Sequence, residues 1–417
     1  MSFSKWREVK LEDVVDTVSK KHKFDKDKII LINTSDVLEG KVLNHEYVQN
    51  ENLKGQFKKS FQKNDILYSE IRPQNKRFAY IDFHSDDYVA STKLMVLRKK
   101  SEMITSKFLY QILKSDDLIN ELQAIAESRS GTFPQITYNE LSRMKIKLPP
   151  LEEQKTIAHI LSTLDDKIEV NNQINKTLEN MAQAIFKQWF VDFEFPNEDG
   201  EPYRSSGGEM VESELGMIPK GWEVKGLDEI AEFLNGLAMQ KFRPEENEKT
   251  YPVLKIKELR QGRTDESSDL CSSNIDEKYI VRDGDIIFSW SGSLLVDIWC
   301  GGNCGLNQHL FKVTSDKFDG WFVYQWNKYH LDRFVNIAKS KATTMGHIKR
   351  KDLSDSKVLI PSDEIYLKAA QHQKYLFEKI KYSKIEMKRL EEIRDALIPK
   401  LMSGKIRVPL DSECDVS

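Results

Sequence analysis

The chain has 417 residues, of which 39% are hydrophobic and 31% are charged, and its formal net charge is −3. This composition excludes a disordered chain, and the length predicts two domains plus connecting segments. No apolar run reaches the roughly 18 residues that cross a bilayer. The N-terminal residues also lack the apolar core of a signal peptide. We therefore expect a cytoplasmic protein with no membrane partner.

Residues 1–148 are predicted to form a first α+β domain, called domain one. Runs rich in β-branched and aromatic residues, bounded by Asn, Asp and Gly, predict strands at 65–69, 77–83 and 88–98. Apolar residues at helical spacing predict a helix over 107–127.

A long helix is predicted over 149–193. Prolines followed by two glutamates stand at its start, and both features favour a helix N-terminus. Its apolar residues recur with alternating spacings of four and three, which is typical of a coiled-coil seam. The seam positions of this first spacer helix include Leu164, Ile168, Asn171, Asn175, Leu178 and Ile185.

The segment 194–220 is rich in Gly, Pro, Glu and Ser and has no periodicity, so it is predicted to be a linker. Residues 221–361 are predicted to form a second α+β domain, called domain two. Its strand-like runs and its helical run lie at 285–290, 294–300, 309–314 and 320–338.

A second spacer helix is predicted over 362–404, followed by a tail over 405–417. Five of its seam positions lie 212 residues after positions of the first seam, so both helices share one heptad register. These positions are Leu376, Ile380, Met387, Leu390 and Leu397.

The globular domains repeat as well. Residues 130–150 and 342–362 align at the same offset of 212, with Ile136 opposite Ile348. The strand around Asp65 resembles the strand around Asp285 at a different offset, so loops of unequal length connect shared elements.

This repeat predicts two homologous α+β domains separated by the two long helices, which pair antiparallel as a coiled coil and give the chain a pseudo-two-fold axis. Asn171 and Asn175 place polar groups in the middle of the seam. They either fix the register of the helix pair or lie partly exposed where the helices cross.

Three motifs identify a family at this point. LPPLEEQ starts the first helix at 148–154, a long connector occupies 195–222, and LIPKLMSGKIRV stands at 397–408. The motifs and their order resemble the specificity (S) subunit of Type I restriction–modification systems over essentially the full chain. The second helix departs from the pattern, because it starts with IPSDEIY at 360–366.

The resemblance implies two target-recognition domains, each reading one half of a bipartite site in double-stranded DNA. It implies that the helices set the spacer between the half-sites and dock two modification subunits, which methylate adenine with S-adenosylmethionine. It also allows for a restriction subunit that translocates and cuts DNA.

The chain itself is predicted to be non-catalytic. It has no D/N-P-P-Y/F element, no G-x-G-x-x-G and no G-x-x-x-x-G-K-[ST]. Cys300 and Cys304 form a single C-x3-C without a second pair, so we expect reduced thiols and no metal. We therefore expect no cofactor in this chain and S-adenosylmethionine in the partner modification subunit.

Loop residues are the candidates for DNA contact, because Arg pairs with guanine, Asn and Gln pair with adenine, and hydroxyl and basic groups bind phosphate. A solvated surface loop and a structural turn are the alternatives for these segments. In domain one the candidates are Arg72, Gln74, Asn75, Lys76, Arg77, Lys93, Arg129, Ser130 and Thr132. In domain two they are Ser289, Trp290, Ser291, Asn307, Gln308, His309, Lys341, Thr343, Thr344 and His347.

Two other functions remain open from the sequence. The chain could serve a Type II-like system in which restriction and methylation are fused in one partner. It could also be a coiled-coil interaction module whose globular ends bind protein and not DNA.

Overall fold

The structure is a computed structural model that describes residues 6–51, 55–128, 134–340 and 346–408. The chain divides into two compact units. Unit 1 comprises residues 1–166 and 392–417, and unit 2 comprises residues 167–391. In these described ranges, no helix combines the length and the apolar character that crossing a membrane requires.

The described residues of domain one form short strands and three α-helices. Its strands are β1 (Arg7–Lys10), β2 (Val15–Thr17), β3 (Lys28–Ile32), β4 (Val37–Leu38), β5 (Lys41–Val42), β6 (Val48–Gln49), β7 (Phe57–Lys59), β8 (Ile66–Ser69), β9 (Phe78–Tyr80), β10 (Tyr88–Ser91), β11 (Leu94–Lys99) and β12 (Lys145–Leu148). Its helices are α1 (Ser106–Leu113), α2 (Asp116–Glu127) and α3 (Tyr138–Ser142). The predicted strands are confirmed, whereas the predicted helix over 107–127 is two helices.

The first long helix, α4, runs over Leu151–Phe190 and is followed by the strands β13 (Met210–Ser213) and β14 (Gly216–Pro219). These two strands pair antiparallel as a hairpin. Ile218 of this hairpin is buried in the same cluster as Phe195 and Trp222. The segment that we predicted as a plain linker therefore contains regular structure and contributes to the core of unit 2, because its few apolar residues pack together.

Domain two, like domain one, consists of short strands and helices. Its strands are β15 (Glu223–Gly226), β16 (Glu232–Asn235), β17 (Thr250–Leu254), β18 (Leu270–Ser272), β19 (Ile280–Val281), β20 (Ile286–Ser289), β21 (Leu295–Ile298), β22 (Cys304–Leu306), β23 (Leu310–Thr314) and β24 (Lys357–Ile360). Its helices are α5 (Leu227–Ile230), α6 (Ile256–Gln261), α7 (Gly320–Ser340) and α8 (Arg350–Ser354), and the second long helix, α9, runs over Asp363–Met402.

The two domains share three sheets with the same topology. In domain one these sheets have the orders β1-β12, β2-β11-β8-β9 and β6-β3-β10-β7, and in domain two they have the orders β15-β24, β16-β23-β20-β21 and β18-β17-β22-β19. Domain one also contains the antiparallel pair β4-β5. The match includes direction, since β10 pairs parallel with β3 and β22 pairs parallel with β17. The predicted α+β class and the predicted repeat are both confirmed.

The central strands β8 and β20 are buried along their whole length because both of their faces are covered. In β8, Tyr68 faces the cluster that contains α1 and α2, while Leu67 faces a cluster formed with the second sheet. In β20, Phe288 belongs to one hydrophobic cluster and Ile287 belongs to another. Side chains that alternate across a strand explain how one strand serves two cores.

An aspartate precedes each central strand, and it is buried in domain one (Asp65) and half-buried in domain two (Asp285). The Asp65 carboxylate accepts two hydrogen bonds of 2.7 Å from Arg98 and one of 2.8 Å from the Gln62 main-chain N–H. Asp285 accepts a 2.7 Å bond from the Arg282 main-chain N–H. It pairs with Lys312 at 2.8 Å. The aspartates thus close equivalent turns and neutralise their charge with different cations.

The two long helices pack antiparallel within each unit. In unit 1, Arg394 Nη1 of α9 lies 3.3 Å from Asp165 Oδ1 of α4. In unit 2, the Asn171 amide donates to Glu386 Oε2 at 3.0 Å. The Gln373 amide donates to the main-chain oxygen of residue 182 at 2.8 Å. Later residues of α4 therefore contact earlier residues of α9, which shows that the two helices run in opposite directions.

Every predicted seam residue is buried or half-buried. Ile168, Leu376 and Ile380 are buried, and the more accessible positions are Leu164, Leu178, Ile185, Met387, Leu390 and Leu397. Asn171 and Asn175 are both buried. The alternative in which the asparagines lie partly exposed is therefore wrong, because the facing helix covers them.

Candidate nucleic-acid interface

In domain one, two of the predicted DNA-contact segments lie side by side. The loop after β8 forms a bridge between Ile71 and Gln135, which precedes α3. The Ile136 main-chain N–H donates to the Glu70 carbonyl oxygen at 2.8 Å. Main-chain bonds therefore join segments that lie about 65 residues apart in the sequence.

Domain two makes the same connection. Ser291, after β20, forms a bridge with His347, which precedes α8. The Ile348 main-chain N–H donates to the Trp290 carbonyl oxygen at 3.1 Å. Ser291 is thus the structural equivalent of Ile71, and His347 is the equivalent of Gln135.

A third segment completes the same framework in each domain. The Glu70 main-chain N–H donates to the Lys93 carbonyl oxygen at 3.0 Å. The Trp290 main-chain N–H donates to the His309 carbonyl oxygen at 3.4 Å. Lys93 and His309 are therefore equivalent positions, and Glu70 and Trp290 are a further equivalent pair.

The surface of this framework in domain one is charged. Lys93 Nζ lies 3.6 Å from Glu70 Oε2 and 3.5 Å from Gln135 Oε1. About half of the Lys93 side chain is exposed, since its side-chain accessibility is 51%. The cluster offers an ammonium donor, a carboxylate acceptor and an amide to whatever contacts this surface.

The other side chains of the loop after β8 differ in their exposure and in their contacts. Arg72, Gln74 and Asn75 are exposed. Lys76 Nζ lies 2.9 Å from Asp116 Oδ1. Arg77 donates to the carbonyl oxygens of residues 35 and 37 at 3.0 and 3.3 Å. Arg77 therefore ties two loops of domain one together.

The corresponding surface of domain two is aromatic. The Trp290 indole N–H donates to Asn235 Oδ1 at 2.9 Å, and its ring stacks on Phe311 at 5.7 Å. The rings of His309 and His347 lie 6.0 and 6.3 Å from Trp290. Equivalent positions thus carry charged or amide side chains in domain one and aromatic or imidazole rings in domain two.

Three further candidates in domain two shape this surface from below or beside it. Ser289 is fully buried, and its hydroxyl donates to the carbonyl oxygen of Ser291 at 3.2 Å, so it stabilises the turn. Asn307 is buried and accepts from the His309 main-chain N–H at 3.2 Å. The Gln308 amide lies 3.4 Å from His309 Nε2.

Six candidates lie outside the described residues. They are Arg129, Ser130, Thr132, Lys341, Thr343 and Thr344. Their assignment as phosphate contacts stays a prediction. The residues that follow these segments, Gln135 and His347, belong to the framework in both domains.

Glu70 and Asn235 were missed in the sequence. Extending the alignment of the two central strands by one residue beyond Ser69 and Ser289 places Glu70 opposite Trp290, so a signal for Glu70 existed. Asn235 ends β16 and reaches Trp290 only through tertiary packing. No sequence pattern connects these two residues, which are 55 positions apart.

The cysteines of domain two are buried, free thiols. Burial raises the pKa of Cys300 to about 11 and the pKa of Cys304 to about 12. Both groups are therefore neutral near pH 7, whereas a metal ligand or a nucleophile needs the thiolate. Within the described part of the chain, no group of three or more His, Cys, Asp or Glu side chains could hold a metal ion.

Comparison with known proteins agrees with the repeat. A family model described as the Type I restriction modification DNA specificity domain matches residues 4–180 and again 219–394. The specificity subunit of the Type I restriction enzyme HindI from Haemophilus influenzae is 30% identical over 460 residues, which covers 97% of this chain and 100% of that protein. The MjaIX specificity subunit from Methanocaldococcus jannaschii is 34% identical over 317 residues, which covers 73% of this chain and 70% of that protein.

A solved structure shares the fold. The crystal structure of the S subunit of a Type I restriction–modification system from M. genitalium matches with a TM-score of 0.56 at 18% identity. The match covers 96% of each chain.

Proposed function

The chain belongs to the family of Type I restriction–modification DNA specificity subunits, and on that premise we propose that each of its two domains reads one half of a bipartite DNA site. The supporting observation is the framework that occurs twice with different side chains. A duplicated framework suits two half-sites on one DNA molecule, and unlike side chains at equivalent positions suit two different half-site sequences.

The chain is the recognition component of its system and not the catalyst. Methyl transfer therefore belongs to a modification subunit, which we propose binds S-adenosylmethionine and methylates an adenine in each half-site. Two such subunits are proposed per chain because a repeated module would offer the same surface to each of them.

We propose that the long helices dock these subunits. Apolar side chains are exposed on α4 and α9 away from the seam, and exposed apolar patches mark protein-binding surfaces. On α4 they are Val170, Ile174 and Met181, and on α9 they are Leu367, Tyr375 and Tyr382. The helices would also set the spacer between the half-sites, so that one added heptad in each helix lengthens the spacer and leaves both half-sites unchanged.

Reconstitution tests the recognition function. The chain is combined with the modification subunit of its own system and S-adenosylmethionine, and methylated adenines are mapped on genomic DNA. We expect one bipartite motif that requires the chain, and no methylation by the chain alone. Methyl transfer by the purified chain, or a single undivided motif, would contradict the proposal.

A second experiment tests the docking surface. Ile174→Glu places a charge in the exposed apolar stripe of α4 and is expected to weaken binding of the modification subunit at least tenfold without lowering Tm. Gln183→Glu is the matched control, because it is exposed and lies on the opposite side of α4. Equal binding by both variants would place the docking surface elsewhere.

A further inference from the structure

We propose that three equivalent positions in each domain form the base-reading set of its half-site, an inference that rests on the proposed function. The set in domain one is Glu70, Lys93 and Gln135, and the set in domain two is Trp290, His309 and His347.

The first argument is that main-chain bonds place these positions. The bonds from Glu70 to Lys93 and from Trp290 to His309 join main-chain groups only. The bridges at Gln135 and His347 do the same. Main-chain bonds are indifferent to side-chain type, so the three positions can change residue without changing the framework. This is the property that a specificity-determining set requires.

The second argument is the chemistry of the set in domain one. Lys93 Nζ lies between Glu70 and Gln135, at 3.6 and 3.5 Å. A lysine donor matches the O6 and N7 acceptors of guanine, a glutamine amide matches adenine, and a carboxylate matches the amino group of cytosine. The three side chains can therefore discriminate bases by hydrogen bonding.

The set in domain two offers different chemistry at the same place. The N–H of Trp290 is satisfied by Asn235, which leaves the ring itself for apolar contact. His309 Nδ1 lies 3.0 Å from Ser291 Oγ, an arrangement that orients the imidazole. Rings suit the thymine methyl group and unstacked bases, and imidazole nitrogens can donate or accept. This set predicts a half-site unlike that of domain one.

The third argument comes from the neighbouring loop residues. Arg77 is bonded to two carbonyl oxygens of its own domain, and Lys76 is paired with Asp116. Ser289 is buried beneath the surface of domain two. These positions shape the loops, whereas the three-residue sets line the surface where the segments meet.

The test exchanges chemistry between the domains. Lys93→His combined with Gln135→His gives domain one two residues of the set in domain two. The variant is assembled with its modification subunit. Methylated sites are mapped, and binding is measured on duplexes with single base changes in each half-site. We expect the preference at one or more bases of the first half-site to change about tenfold or more. The second half-site and the spacer should remain unchanged.

The control is Lys145→His, because Lys145 is an exposed lysine of the same domain paired with Glu8 on β1. It should keep the wild-type motif. An unchanged motif in the double variant, with or without a uniform loss of affinity, would overturn the proposal, since a uniform loss indicates phosphate contact. If the double variant does not assemble, Lys93→Gln alone is measured against the same two outcomes. A wild-type complex without a bipartite motif would instead refute the proposed function.

Discussion

At the start of their long helices, the two units make the same contact with different side chains. In unit 1, Gln154 Oε1 of α4 accepts from the Thr105 main-chain N–H at 3.0 Å, next to the start of α1. In unit 2, the Tyr366 hydroxyl of α9 accepts from the Asp319 main-chain N–H at 2.9 Å, next to the start of α7. Burial raises the pKa of Tyr366 to about 12, so this hydroxyl is neutral near pH 7.

A second pair of contacts differs more strongly. In unit 1, Trp6 donates to Glu153 at 3.1 Å, and the Arg407 guanidinium lies 5.6 Å from the centre of the Trp6 ring. In unit 2, Phe195 stacks on Trp222 with ring centres 5.4 Å apart. Both pairs cover the tryptophan that precedes the first strand of the domain. Both domains thus have a tryptophan at this place, and it contacts an ion pair in domain one and a phenylalanine ring in domain two.

The largest loss of stability is expected when the ion pair of Arg407 and Glu153 beside Trp6 is removed. Arg407 donates to both Glu153 oxygens at 2.6 and 2.8 Å, so Arg407→Ala leaves a buried carboxylate without its cation. We expect unit 1 to lose about 3 to 5 kcal/mol of stability. Hydrogen exchange, read separately for peptides of each unit, measures this loss. The double variant Glu153→Ile with Arg407→Phe copies the aromatic arrangement and should recover most of the stability, and failure to recover would show that the two covers are not interchangeable.

The second-largest effect is expected at low pH, where unit 2 should lose stability because of His330. Burial lowers the pKa of His330 in α7 to about 4, and its Nε2 lies 2.9 Å from the Lys357 carbonyl oxygen. Because the folded-state pKa lies below the unfolded value of about 6.5, the folded state binds fewer protons between these values. Stability is therefore full above pH 6.5 and falls by roughly 3 kcal/mol towards pH 4.

The matched variant is His330→Gln, which keeps a polar side chain and removes the titration. Its unfolding free energy in urea should depend less on pH over this window than that of the wild type. Equal slopes for the two proteins would mean that other groups cause the acid sensitivity of unit 2.

A smaller difference is expected between the stabilities lost when the aspartates before the two central strands, Asp65 and Asp285, are replaced. The Asp65 side chain is 1% exposed and pairs with Arg98, whereas Asp285 is 22% exposed and pairs with Lys312. Asp65→Asn is expected to cost about 3 kcal/mol because it leaves the Arg98 guanidinium without its carboxylate. Asp285→Asn should cost about 1 kcal/mol because its partly exposed pair is weaker. Urea unfolding of both variants checks the order, and equal losses would contradict the burial argument.

The smallest effect is expected in the helix seam. Asn175 is buried, its amide faces the Met387 sulfur at 3.4 Å, and its side-chain oxygen has no hydrogen-bond partner among the described residues. Asn175→Leu should therefore stabilise unit 2 by about 1 kcal/mol. Asn171→Leu is the control and should give no gain, since it removes the bond to Glu386. If Asn175→Leu instead destabilises unit 2, Asn175 helps to fix the register of the helix pair.

Much of the fold could be predicted because its signals are local. The strand around Tyr68, the helical run around Trp326 and the heptad seam of both long helices all follow from residue spacing. The hairpin at Met210–Pro219 was missed because its strands are short, and Gly and Glu dominate their surroundings. The break between α1 and α2 was missed because apolar spacing continues across it.

The candidate site was predicted only in pieces, and the offsets between equivalent residues explain why. Ser291 lies 220 positions after Ile71, His309 lies 216 after Lys93, and His347 lies 212 after Gln135. Insertions in the connecting loops shift each piece separately. An alignment at one offset therefore cannot show that the three pairs are equivalent.

By itself, the sequence determined that one recognition module occurs twice and that its spacer helices share a register, because apolar periodicity is written in the order of the residues. Only the tertiary structure decided which side chains meet on each domain surface. Its bonds at Glu70 and Trp290 join main-chain groups that every residue carries. Such bonds leave no pattern in the sequence. The alignment of the central strands places Glu70 opposite Trp290, whereas the bonds that join Glu70 to Lys93 and Trp290 to His309 became visible only in the folded chain.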